Sequence, residues 1–212
     1  DGFGFEKGKG WSYAGVQRAL HRSRIIGFLT DDFGKLAGYV FFSAPEAELE
    51  GTHLLWEDSV CLRQMVQGKG FASRRLFEEA CSLFPGRTFG WIGCRTQNPL
   101  VMLRYANFGE VFPFDIPYID DFGKKLMDFL LMHVTGIQQA AEKGALDPYT
   151  GICRGVYHEG KLGNYATSIE GTERFEQMLR RWSFERDGGD AIVVVSRLHE
   201  PISIDRHKHR ER

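Results

Sequence analysis

Cys61-Leu62-Arg63-Gln64-Met65-Val66-Gln67-Gly68-Lys69-Gly70-Phe71-Ala72 is the stretch on which the reading of this chain turns. Leading into it, Trp56 to Arg63 reads as a buried or half-buried strand with Val60 and Leu62 on one face. Following it, Ala72, Leu76, Phe77, Ala80 and Leu83 recur at helical spacing, the apolar stripe of an amphipathic helix. The segment is therefore a strand-to-helix junction, with glycines at 68 and 70 and no acidic side chain from Leu62 to Leu76. Such a junction aims several backbone N–H groups at one place, at the positive end of a helix dipole, and so favours a phosphate. The glycines let an anion reach the main chain without a Cβ in the way.

Working outward, Ile25 to Thr30 and Leu36 to Ala44 read as strands, and the turn chemistry of Asp31-Asp32-Phe33-Gly34 makes them a hairpin. Trp11 to Arg22 has the pattern of a short helix. On the other side, Thr88 to Arg95 is a strand, and Asn98-Pro99 opens a helix with a favoured N-cap and first residue. Its inner stripe is Met102, Leu103 and Ala106, with Gly109 as its stop and Val111 to Phe114 as a short strand beyond. The order predicts a mixed α/β fold, a sheet with helices on its faces.

The pattern changes from Asp115 to Glu185. Leu126 to Ala141 predicts one long helix with Gly136 as its weak point, and Asp147 to Gly171 predicts loop or short strands. Phe175, Met178, Leu179 and Trp182 predict a second amphipathic helix. Asp187-Gly188-Gly189-Asp190 is a turn, and Ala191 to Leu198 a strand buried on both faces. Residues 1–204 read as one domain and 205–212 as a charged tail.

With 27 Lys and Arg against 28 Asp and Glu, the net charge of −1 offers no argument for nucleic acid or an anionic membrane as a partner. The most apolar run, Phe129 to Val134, is far short of the ~20 residues that span a bilayer. Cys61, Cys81, Cys94 and Cys153 lack C-x-x-C spacing and read as reduced, buried small hydrophobes of a cytoplasmic protein. His207 and His209 lie in the charged tail, so no metal is expected.

Gln67 to Ala72 is not a P-loop, since it lacks G-x-x-x-x-G-K-[ST], and it misses the third glycine of the dinucleotide fingerprint at Ser73. It fits Q/R-x-x-G-x-G/A through Gln67, Gly70 and Ala72. Thirty-one residues after Gln67, Asn98-Pro99 begins a second pattern that continues through Tyr105 to Phe108-Gly109. Together these resemble the coenzyme A loop and the N-P-x-A-x-x-x-Y-x-x-x-G-F motif of the GCN5-related N-acetyltransferase (GNAT) family. Val101 stands for the usual Ala and Glu110 for the Phe after the glycine. The resemblance covers Thr52 to Phe114, extends more loosely to the strands from Ile25, and fails over Asp115 to Glu185. That segment is then a helical insertion before the last strand.

The resemblance implies a central, mostly antiparallel mixed sheet and an acetyl-CoA-dependent transfer of an acetyl group to a primary amine. In the family, main-chain groups matching Cys61, Leu62 and Arg63 hold the acyl-pantetheine arm, where one strand splays from the next. The N–H groups of Gly68, Lys69, Gly70, Phe71, Ala72 and Ser73 would take the pyrophosphate, and Asn98 would contact the pantetheine or simply cap its helix. Tyr105 matches the family's acid, which protonates the leaving thiolate. Glu57, ten residues before Gln67, is the better-spaced candidate base, with Asp58 on the opposite strand face and His53 as a further candidate. The acceptor amine, the acyl length and a homodimer built on the insertion's apolar faces stay open, as does a CoA-binding module without turnover.

Overall fold

The structure is a computed structural model that describes residues 17, 21, 24–30, 33–62, 74–157 and 169–203. The expected helix at Trp11 to Arg22, most of the glycine-containing loop and the charged tail fall largely or wholly outside these residues.

Eight strands form one sheet among the described residues: β1 (Ile25–Thr30), β2 (Leu36–Ser43), β3 (His53–Leu62), β4 (Thr88–Thr96), β5 (Gly109–Phe112), β6 (Leu146–Asp147), β7 (Ile152–Cys153) and β8 (Ala191–Ser203). The helices are α1 (Arg74–Ser82), α2 (Pro99–Ala106), α3 (Asp121–His133), α4 (Thr135–Glu142) and α5 (Glu173–Arg181). Strand order is β1-β2-β3-β4-β8-β7-β6, with β5 also on β8. Only β3 and β4 run parallel; every other ladder is antiparallel. The result is a mixed α/β fold with a largely antiparallel central sheet flanked by helices, as the sequence pattern predicts.

Alternation along the strands divides the core into two layers. On one face, Leu55, Ile92, Cys94, Ile192 and Val194 pack with Leu76 and Phe77 of α1, Met102 and Tyr105 of α2, and Phe175 and Leu179 of α5. On the other, Leu54, Trp56, Trp91, Val193 and Val195 pack with Leu126, Met127, Leu130, Val134, Ile137 and Ala140 of the α3–α4 region. Each large apolar side chain buried this way contributes about 1.5–3 kcal/mol. The apolar stripe of the segment after Phe114 thus lies against the chain's own sheet.

Three element boundaries differ from those expected. The helix predicted over 126–141 is two helices, broken at Val134 (φ −110, ψ 103) and not at Gly136. Val134 is buried in the core layer, so the chain turns to insert it while its carbonyl still accepts from Ile137 and Gln138. β8 runs five residues past Leu198, because β4 offers Thr88 and Phe89 as partners to Ser203 and Ile202. The short strand expected at Val111 to Phe114 starts instead at Gly109, which pairs with Leu198. A Cβ on Gly109 would lie 1.7 Å from the Arg197 carbonyl oxygen, so its role is close backbone approach.

Gly109→Ala is accordingly expected to cost about 1–3 kcal/mol, a Tm fall of roughly 3–10 °C by calorimetry. Gly136 has no atom within 4 Å of an added Cβ. Gly136→Ala should be neutral, or stabilise by up to about 1 kcal/mol through helix propensity.

Candidate active site

The site begins with a strand that leaves its neighbour. β3 pairs with β4 from His53 to Glu57, the last pair being Glu57 with Cys94, although β3 runs on to Leu62 and β4 to Thr96. Both continue on their outer sides, β3 with β2 and β4 with β8. The register of β2 against β3 passes from Phe42 with Glu57 to Phe41 with Ser59, so Asp58 is the extra residue of a β-bulge at the parting point. A bulge bends its strand and raises the local twist, which turns β3 away from β4. It also interrupts the alternation, so the period-two argument that sets Glu57 and Asp58 on opposite faces does not apply across this step. Burial follows the parting: His53 to Glu57 are buried, and Asp58 to Leu62 are half-exposed.

Asn98 stands just past the end of β4. Its N–H donates to Thr96 Oγ1 at 3.0 Å, and its Oδ1 accepts from Leu100 N–H at 3.0 Å, the N-cap expected of Asn before Pro99. Buried Gln97 secures the strand end: its Nε2 donates to the carbonyls of Asp190 (2.7 Å) and Arg186 (3.2 Å). Arg186 Nε donates back to the Gln97 carbonyl at 3.1 Å.

α2 then brings Arg104 and Tyr105 to the parting point. Arg104 Nη2 donates to both carboxylate oxygens of Glu57, at 2.9 and 2.7 Å, with side-chain exposures of 14% and 4%. The guanidinium lies 5.3 Å from the Phe77 ring centre and 5.1 Å from that of Tyr105. Burial opposes its charge, but Glu57, with Tyr105 and Cys94, more than offsets this and holds its pKa above the ordinary arginine value. Tyr105 is fully buried, edge-on to Phe77, and its hydroxyl has no oxygen or nitrogen partner among the described residues. Burial, then the neighbouring Cys94 and Glu57, push its pKa well up, with Arg104 pulling the other way. Burial likewise raises the Cys94 thiol. This is a neutral phenol beside a buried ion pair.

Of the residues expected from sequence, Glu57, Tyr105, Asn98, Cys61 and Leu62 lie around the parted strands. Arg63, Gln67, Gly68, Lys69, Gly70, Phe71, Ala72 and Ser73 fall outside the described residues. Cys61 is half-buried, opposite Tyr39 on β2, and burial raises its thiol pKa. His53 is buried at the start of β3, with Nε2 3.5 Å from Glu48, and lies four residues from the parting point. Arg104 is absent from the sequence reading. It stands 47 residues from Glu57, so no local pattern announces the pair. Among the described residues no group of three or more His, Cys, Asp and Glu is placed to hold a metal, and no helix is long and apolar enough to cross a membrane.

No family model matches the sequence, and no curated protein matches it. Among solved structures, one similar chain is a GNAT family N-acetyltransferase (YhbS) from Escherichia coli in complex with CoA, with 17% identity and a TM-score of 0.32. That match covers 46% of this chain and 52% of the other. Another is an N-acetylglutamate synthase from Neisseria gonorrhoeae complexed with coenzyme A and N-acetyl-glutamate, at 12% identity and a TM-score of 0.31. It covers 89% of this chain and 28% of the other, so the chain spans about half of the first protein and under a third of the second.

Removing either partner of the Arg104–Glu57 pair strands a buried charge or polar group. Glu57→Leu and Arg104→Met are each expected to cost about 3–5 kcal/mol in urea unfolding. The double variant should be more stable than either single one, since it buries no lone charge.

Proposed function

We propose that this chain is an acetyl-CoA-dependent N-acetyltransferase of the GNAT type, acting on a primary amine. The observation that carries the reading is the bulged β3 leaving β4 at Glu57 and Cys94, beside the helix that bears Asn98 and Tyr105. It combines with the resemblance of Gln67 to Ala72 and Asn98 to Gly109 to the family's motifs. A gap between parallel strands suits a thin, polar pantetheine arm, which can borrow strand N–H and C=O groups without a dedicated side chain. In this reading Cys61, Leu62 and Arg63 hold that arm, Gly68 to Ser73 hold the pyrophosphate at the start of the following helix, and Asn98 flanks the thioester.

The amine attacks the thioester carbonyl: a C–N bond forms, the C–S bond breaks, the ammonium proton goes to a base, and the sulfur takes a proton. Tyr105 is the proposed acid, and its raised pKa keeps it protonated at neutral pH. Glu57 is the proposed base, and it would have to exchange the Arg104 guanidinium for a proton. The ion pair favours a second role for Glu57, as the positioning residue that holds α2 and Tyr105 at the parting point.

Calorimetry with acetyl-CoA, CoA and longer acyl-CoAs, followed by thiol release with an amine panel, tests the reading. Saturable binding of acetyl-CoA with turnover is expected. Tighter binding of a longer acyl donor would move the donor class, binding without turnover would mean a module, and no CoA binding would remove the function altogether. Tyr105→Phe should lower kcat about 100-fold or more with the acetyl-CoA Kd unchanged. For Glu57→Gln, loss of the acidic limb of the kcat/KM profile marks a base, while a lower kcat with the limb intact marks a positioning residue.

A further inference from the structure

Arg95 is the first residue of β4 beyond its last pair with β3, so it stands at the mouth of the gap. Alternation sets it on the face opposite Cys94 and Tyr105, the face covered by α3 and α4. Its Nη1 donates to the Gly136 carbonyl of α4 at 3.3 Å. Its guanidinium carbon lies 5.6 Å from the centre of the Tyr157 ring, and the Tyr157 hydroxyl donates to the Arg95 carbonyl at 3.3 Å.

What sets Arg95 apart is that no carboxylate meets it among the described residues. Among the described arginines that are not exposed, Arg74, Arg87, Arg104 and Arg186 each meet a carboxylate, and Arg95 meets none. Among the described residues, the titratable groups that face it are Tyr157 and Cys153; burial raises the pKa of both, so they are neutral at pH 7. Asp190, across β7 at the start of β8, is already committed to Arg154 Nη1 (2.6 Å), Gly155 N–H (3.0 Å) and Glu185 N–H (3.0 Å). A guanidinium is always charged, and a charge drawn out of water is ordinarily paired. α4 begins without a side-chain cap, so its positive end adds to the same field. Arg95 is half-buried, so part of the residue still meets solvent.

We propose that Arg95, with Tyr157 beside it, binds the carboxylate of the acceptor, so that the substrate is a small amine carrying a carboxylate, of the amino-acid type. The assignment rests on the acetyltransferase reading and names its acceptor class. The planar guanidinium presents parallel N–H donors that match the two oxygens of a carboxylate. A carboxylate held at the mouth of the gap, on the face away from Tyr105, leaves the amine of the same molecule to enter between the strands.

Calorimetry on the full chain with a panel of amino acids and their decarboxylated amines, with and without CoA, tests this directly. At least one amino acid should bind, and its decarboxylated amine should bind about 10- to 100-fold more weakly. Arg95→Met should weaken the amino acid by the same factor while leaving the acetyl-CoA Kd unchanged. Arg95→Lys keeps the charge but loses the fork; should Arg95→Met fail to fold, it supplies the readout, with an expected loss of about tenfold. Equal binding of amino acid and amine, no binding of any amino acid, or an unchanged Kd in the folded Arg95 variant would each overturn the assignment. A fall in acetyl-CoA affinity alone would assign Arg95 to a donor phosphate and overturn it as well. Absence of acetyl-CoA binding in the wild type would instead strike the acetyltransferase reading, while the carboxylate comparison without CoA still decides the role of Arg95.

Discussion

β3 can part from β4 because each strand is secured on its other edge. β2 follows β3 to Leu62 and β8 follows β4 to Thr96, so the break in the parallel ladder costs neither strand its place in the sheet. The bulge at Asp58 supplies the bend, and the Glu57–Arg104 ion pair bridges the parting point from α2. Without that pair a buried carboxylate and a buried guanidinium would each lie uncompensated in the core. The position of Tyr105 follows from the same contact, since it is the next residue on α2.

The segment after Phe114 does more than fill space. α3 and α4 cover the sheet face that α1, α2 and α5 leave open, and the turn at Arg186 to Asp190 returns to hold Gln97 at the end of β4. Arg186 reaches both Gln97 and Glu176 of α5, and Arg154 ties β7 to Asp190 and to the carbonyls of Trp182 and Ser183. The segment in which the family resemblance stops is therefore the one that braces the rear of the gap. It also supplies Gly136 and Tyr157 around Arg95, which links the segment outside the resemblance to the proposed acceptor.

Much of this architecture was legible in local patterns. The hairpin of β1 and β2, the N-cap at Asn98, the stripe of α1 and the doubly buried β8 all express short-range periodicity or capping chemistry. Tyr105 and Glu57 could be chosen by motif and spacing, but their surroundings could not. The break at Val134 was misplaced at Gly136, because propensity marks glycine as weak while core packing decides where the chain bends. Gly109 looked like a helix stop and serves as a contact surface for the β8 backbone. Arg95 did leave a signal, a lone cation at the end of the apolar run from Phe89 to Cys94.

The sequence by itself determined the alternation of strands and helices, the caps and turns that bound them, and the motif pair that suggests a coenzyme A site. Those features rest on interactions within a few residues, where spacing along the chain is spacing in space. Only the tertiary structure decided that β3 departs from β4 at Glu57, that Arg104 closes on that carboxylate, and that Arg95 meets none among the described residues. Charge pairing depends on which distant residues the sheet register brings within a few ångströms, and no local pattern encodes that register. The stretch from Cys61 to Ala72 suggests a site by its pattern alone, while the parting of β3 from β4 at Glu57 and Cys94 belongs to the sheet.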